Sequence, residues 1–158
     1  MRGRVSIILG VLLLALVATP QFTAIPSGIG SAGDQGCSCH GGASPDTSVV
    51  VDGLPEVYNA SETYTFTVTV INDVMELHDG GGDDWNGRAG GYRILTTHGS
   101  IVAIPNTLGQ EMDGGLTHTT EANTVRSWTF EWTAHAAEDE NVEMTIYGNA
   151  VNGGAGSG

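Results

Sequence analysis

The sequence predicts an all-β domain, folded as a two-sheet antiparallel sandwich. Three observations carry that expectation. Several segments alternate apolar and polar residues; Gly, Asn and Asp turn signals separate them; and no window of helical periodicity exceeds the N-terminal apolar run.

The elements follow in chain order. Arg2 and Arg4 precede an apolar stretch from Val5 to Ala18, then come Pro20 and the small residues Gly30, Ser31 and Ala32. That order is that of a secretory signal peptide over residues 1–32, with cleavage expected after Ala32. The apolar stretch is shorter than the roughly 20 residues of a membrane-spanning helix. The long interval from Ala18 to Ala32 keeps an uncleaved anchor as the alternative. Residues 33–46 are rich in Gly and Ser and read as an extended arm.

Residues 47–152 supply the sandwich. Thr47 to Val51 is a short β-branched strand. Thr63 to Ile71 places Tyr64, Phe66, Val68 and Val70 on one face and Thr63, Thr65, Thr67 and Thr69 on the other. Tyr92 to Thr97 and Ser100 to Ile104 flank His98-Gly99 and are expected to form a hairpin, with the glycine at positive φ. Thr124 to Thr133 aligns Trp128, Phe130 and Trp132 on a core face. Ala134 to Glu140 suits one short helical turn, and Val142, Met144 and Ile146 alternate once more. Residues 153–158 have the composition of a flexible Gly-rich tail, either disordered or leading toward a cell-surface anchor.

The chain of 158 residues carries a net charge of −13. Beyond the signal segment, Arg88, Arg93 and Arg126 face 18 acidic residues, and there is no lysine. Such a surface repels nucleic acid and anionic lipid, so membrane contact is expected only through an N-terminal or C-terminal anchor. Cations or basic partners fit the charge better. The simpler account is solubility in a medium whose salt screens the self-repulsion.

Both cysteines lie in Cys37-Ser38-Cys39-His40. Cys39-His40 matches the end of the C-x-x-C-H haem attachment pattern, but Gly36 stands where its first cysteine belongs. Four readings are open. Cys37 and Cys39 could close a strained, reducible disulfide. Cys39 could hold haem by one thioether, with His40 and Met75, Met112 or another histidine as axial ligands. Cys37, Cys39 and His40 could bind zinc or copper, completed by His78, His98 or His118. The plainest reading is a simple disulfide or a docked arm without chemistry.

The acidic run from Asp79 to Gly87 is a second candidate, with Asp79, Asp83, Asp84 and Asn86 as oxygen ligands for calcium. Its spacing departs from the twelve-residue calcium loop: Gly82 stands at the first Asp and Arg93 at the final Glu. A solvated turn is the preferred account. Four further histidines, His78, His98, His118 and His135, are scattered; no serine sits in a nucleophile elbow. No close carboxylate pair occurs in an apolar setting, which disfavours glycoside hydrolysis. Trp128 and Trp132 on the core face likewise disfavour a sugar-binding surface. Asn59-Ala60-Ser61 is a glycosylation sequon compatible with export.

Together, Cys39-His40-Gly41-Gly42, Leu54-Pro55-Glu56-Val57-Tyr58, the strand from Tyr64 to Val70, Trp128 to Ala134 and Gly148 to Gly153 make the chain resemble the reeler-like choice-of-anchor V family of exported prokaryotic proteins. The resemblance implies an Ig-like β-sandwich outside the cell, tethered at its C-terminus, with no enzymatic activity. It extends over about residues 33–153. Two features depart from it: a Gly-rich tail stands where an anchor is usual, and the cysteine spacing is one residue short. Haem attachment is therefore not carried over.

The expected function is an exported, non-enzymatic cell-surface module for adhesion or recognition. Its contact loops would include Asp79 to Gly87, and its partner would be an extracellular protein or glycan. The alternative is a redox or electron-transfer module holding c-type haem or copper through Cys37, Cys39 and His40.

Overall fold

The computed structural model describes residues 27–35, 43–74, 87–137 and 141–151. Eight strands form: β1 (Thr47–Asp52), β2 (Thr63–Asn72), β3 (Gly90–Thr96), β4 (Ser100–Ile104), β5 (Gly109–Met112), β6 (Gly115–His118), β7 (Ser127–Thr133) and β8 (Met144–Ala150). They build two four-stranded sheets, β1-β2-β7-β4 and β5-β6-β3-β8, in which every pairing is antiparallel. The architecture is all-β, as expected. Among the described residues no helix is long and apolar enough to cross a membrane.

Period-two patterning explains the core. Phe66, Val68 and Val70 of β2 and Trp128, Phe130 and Trp132 of β7 all point inward and are buried. Tyr92, Ile94 and Leu116 meet them from the second sheet. The Tyr92 ring lies 5.0 Å from that of Trp128 and 4.9 Å, edge on, from Phe130, while Phe66 stacks on Phe130 at 5.2 Å. Offset and edge-to-face pairs of this kind add to the burial of the rings themselves.

The expected hairpin across His98-Gly99 does not form. β3 pairs with β6 and β8, whereas β4 pairs with β7 in the other sheet. The turn is an arch between sheets, and the reason is the core. Tyr92 and Ile94 of β3 face Ile101 and Ala103 of β4 from opposite layers, all of them buried, and paired neighbours in one sheet could not do so. Trp132 Nε1 donates to the His98 carbonyl at 3.2 Å and holds the arch down. Gly99 has φ +84°, and a Cβ there would fall 2.3 Å from Trp132 Nε1 and 2.5 Å from the Thr133 carbonyl oxygen. Gly99→Ala is therefore expected to cost about 2 kcal/mol, read as a lower melting temperature in thermal denaturation.

Two strands escape the sequence reading. β5 and β6 form a tight hairpin through Asp113-Gly114, both at positive φ, +47° and +74°. Asp-Gly is a strong signal for such a turn, but the flanking segments are short and alternate weakly. β7 also begins at Ser127 rather than Thr124, because Ala122–Thr124 forms a 3-10 turn whose Ala122 carbonyl accepts the Trp128 indole N–H at 2.7 Å.

Candidate functional site

The two outer faces of the sandwich differ. On the first sheet, register turns alternation into rows: Thr63, Thr133 and Ser100; Thr65, Glu131 and Val102; Asp52, Thr67, Thr129 and Ile104; Val50, Thr69 and Ser127. Hydroxyls pair across strands at 2.9 Å in Thr63 with Thr133 and in Thr69 with Ser127. Interspersed aliphatics stay in solvent, with Val50, Ile71, Val102 and Ile104 each between 41 and 47 % exposed. Across β1, β2, β7 and β4 the charged residues are Asp52 and Glu131. In a chain with 18 acidic residues, these four strands contribute two.

The outer face of the second sheet is covered by Ser27–Gln35. Arg93, outward on β3, has a side chain with no solvent exposure. Its Nε donates to Asp34 Oδ1 at 2.8 Å, Nη1 to the Met112 carbonyl at 2.6 Å and Nη2 to the Asp113 carbonyl at 3.2 Å. A buried guanidinium requires this degree of satisfaction. Tyr147 OH donates to the Asp34 carbonyl at 2.7 Å, and Ile29 N–H donates to Thr117 Oγ1 at 3.1 Å. Ser31 donates to Asp113 Oδ2 through both N–H and hydroxyl, at 2.9 and 3.2 Å. Those Ser31 bonds, backbone first, hold the Asp113 carboxyl below the usual range, with a smaller contribution from the Arg93 charge.

An aromatic cluster occupies one end of the sandwich. Tyr58 OH lies 2.9 Å from His135 Nε2, and the His135 ring stacks with that of His98 at 4.8 Å. Tyr58 meets Trp132 edge on at 5.4 Å and Tyr64 stacks on it at 5.7 Å. His118 lies elsewhere, its Nδ1 3.2 Å from both the N–H and the carbonyl oxygen of Tyr92. The structure thus engages His98 and His118 in separate contacts, and Met112 faces Arg93 through its carbonyl. Among the described residues no group of three or more His, Cys, Asp or Glu could hold a metal ion.

Burial holds the His118 pKa below its usual value, partly offset by the Tyr92 backbone contact. A depressed folded-state pKa favours the neutral ring, so this contribution is complete above the unfolded value of about 6.5 and is lost as pH falls through the folded value. His118→Gln is expected to flatten the decline in stability just below pH 6.5, seen as denaturation midpoints across that range.

The sequence candidates Cys37, Cys39 and His40, the acidic-loop residues Asp79, Asp83, Asp84 and Asn86, and Met75 and His78 all lie outside the described residues. Topology nevertheless locates their connections. The acidic segment links β2 of one sheet to β3 of the other, and Cys37 follows Asp34 by three positions. Trp128 and Trp132 are buried, in keeping with their expected core role. The sequon residue Asn59 is exposed and donates from Nδ2 to Glu62 Oε2 at 2.5 Å. The sequence reading missed the Asp34 and Arg93 pair. Its one local signal is an arginine inside an otherwise uncharged strand.

No family model and no curated protein matches the chain. Among solved structures, the chain is similar to one fragment of the human F-spondin reeler domain, at 14% identity and TM-score 0.43, over 64% of this chain and 73% of that one. A second fragment of the same domain aligns at 15% identity and TM-score 0.44, over 64% and 76%. The Reelin-N domain of F-spondin aligns at 15% identity and TM-score 0.43, over 64% and 70%.

Proposed function

We propose that this chain is an exported, non-enzymatic β-sandwich module of the reeler-like choice-of-anchor V kind, acting in adhesion or recognition at the cell surface. The observation that carries this reading is the open face of the first sheet. Its hydroxyl rows and scattered aliphatics are backed by the buried core, and its four strands carry only Asp52 and Glu131 as charged residues. Hydroxyls that both donate and accept suit a partner rich in the same groups, an extracellular glycan or a polar protein surface. The N-terminal apolar segment behind Arg2 and Arg4 supports export.

The test is binding to arrayed surface glycans and purified cell-envelope proteins, with and without millimolar calcium. Thr67→Asp combined with Thr129→Asp adds two negative charges to one row, beside Asp52, without touching the core. Binding is expected to fall about tenfold or more while the melting temperature stays within a few degrees. Equal binding by the variant would remove the face from the account. A calcium-dependent gain would bring Asp79, Asp83, Asp84 and Asn86 into it.

A second reading, a redox module with haem or copper at Cys37, Cys39 and His40, draws on one observation. Asp34 is fixed by Arg93 and Tyr147, which anchors the stem of that motif to the domain. A Soret band that survives denaturation would favour it.

A further inference from the structure

We infer that Ser27 to Asp34 belong to the mature domain, so that export processing cuts the chain between Ala18 and Ser27 rather than after Ala32. The inference rests on the export reading above.

The contacts of this strap are those of a folded element. Thr117 is fully buried; its hydroxyl accepts the Ile29 N–H and donates to the Tyr92 carbonyl at 3.1 Å, so the strap completes a buried polar group inside the sheet. Glycines at two strap positions let the backbone lie against the β5-β6 hairpin. A Cβ on Gly28, which has φ +95°, would fall 2.4 Å from the His118 carbonyl oxygen, and one on Gly30 would fall 2.1 Å from Asp113 Oδ2. A discarded leader has no need of such fit.

A cut after Ala32 would remove Ile29 from Thr117 and Ser31 from Asp113. It would also create a charged amine on Gly33, directly beside the residue paired with Arg93, and would strip away the Ile29 side chain that packs on Gly33. Upstream, Ala18 and Ala24 each offer a small residue immediately before a cut, with Leu16 and Phe22 at the earlier alanine position of the A-x-A pattern. The step is hydrolysis of one amide bond. The carbonyl carbon takes the water oxygen and becomes the new carboxylate, and the amide nitrogen leaves as the new N-terminal amine.

The experiment is intact-mass spectrometry of the exported protein from the full coding chain, combined with amide hydrogen exchange at Ile29 and Ser31. The expected mature chain begins at Thr19 or Ile25, with both amides exchanging about 100-fold slower than in an unstructured peptide. Gly30→Ala is expected to undo that protection by about tenfold. A mature chain beginning at Gly33, or unprotected Ile29 and Ser31 amides, would overturn the inference while leaving export intact. A full-length chain kept inside the cell would instead sink the export reading, and the processing position with it.

Discussion

Trp128→Ala is expected to lower stability by about 4 kcal/mol, enough to drop the melting temperature by roughly 10–20 °C. The indole is 2 % exposed and packs against Tyr92 across the two sheets. Truncation would leave a cavity that neighbouring rings cannot fill, because Phe66, Phe130 and Tyr92 are already locked in mutual contact. The Ala122 carbonyl would also lose its indole donor. Trp128→Phe keeps most of the apolar volume and should cost less than half as much. Urea denaturation separates these outcomes: the midpoint should fall with an unchanged slope if the effect is packing alone. A midpoint within experimental error of the parent would mean that Trp128 is not a core residue.

Arg93→Met is expected to cost about 3 kcal/mol. The loss has two parts. Asp34 would keep its charge without its partner, and the Met112 and Asp113 carbonyls would each lose a donor. Because the Asp34 side chain is 31 % exposed, water can compensate part of the first. Asp34→Asn should therefore cost less, about 1 kcal/mol. A double-mutant cycle between the two positions is expected to show coupling, and additive effects would mean that the pair does not act as a unit. The variant also offers a local readout, since loss of Arg93 should loosen the strap before the core. Exchange at Ile29 should rise more than exchange at Phe66.

The parts of this protein that could be read from sequence share one property: their signal is local and repeats every second residue. β2 and β7 bury one side of an alternating run, so Phe66, Val68, Trp128 and Phe130 declare themselves by spacing alone. The β5-β6 hairpin was also written locally, in Asp113-Gly114, but each strand has four residues and too little alternation to stand out. The His98-Gly99 turn shows the opposite limit. A glycine at positive φ serves a hairpin or an arch equally well, and only the available edge of β7 and the depth of the core decide where β4 goes.

The candidate surfaces divide in the same way. Threonines alternating along β2 were visible, but their assembly into rows depends on antiparallel register with β7, whose residues lie some sixty positions away. The strap is least visible of all. Its composition resembles a leader followed by a loose arm, and Asp34 meets Arg93 across 59 residues of chain. The amino-acid sequence alone determined the all-β class, the main core faces and the acidic, lysine-free character, because each follows from residue type and short-range spacing. Tertiary structure decided which sheet each strand joins, which outer face stays open and which is strapped, because those outcomes depend on long-range pairing and on satisfying one buried guanidinium.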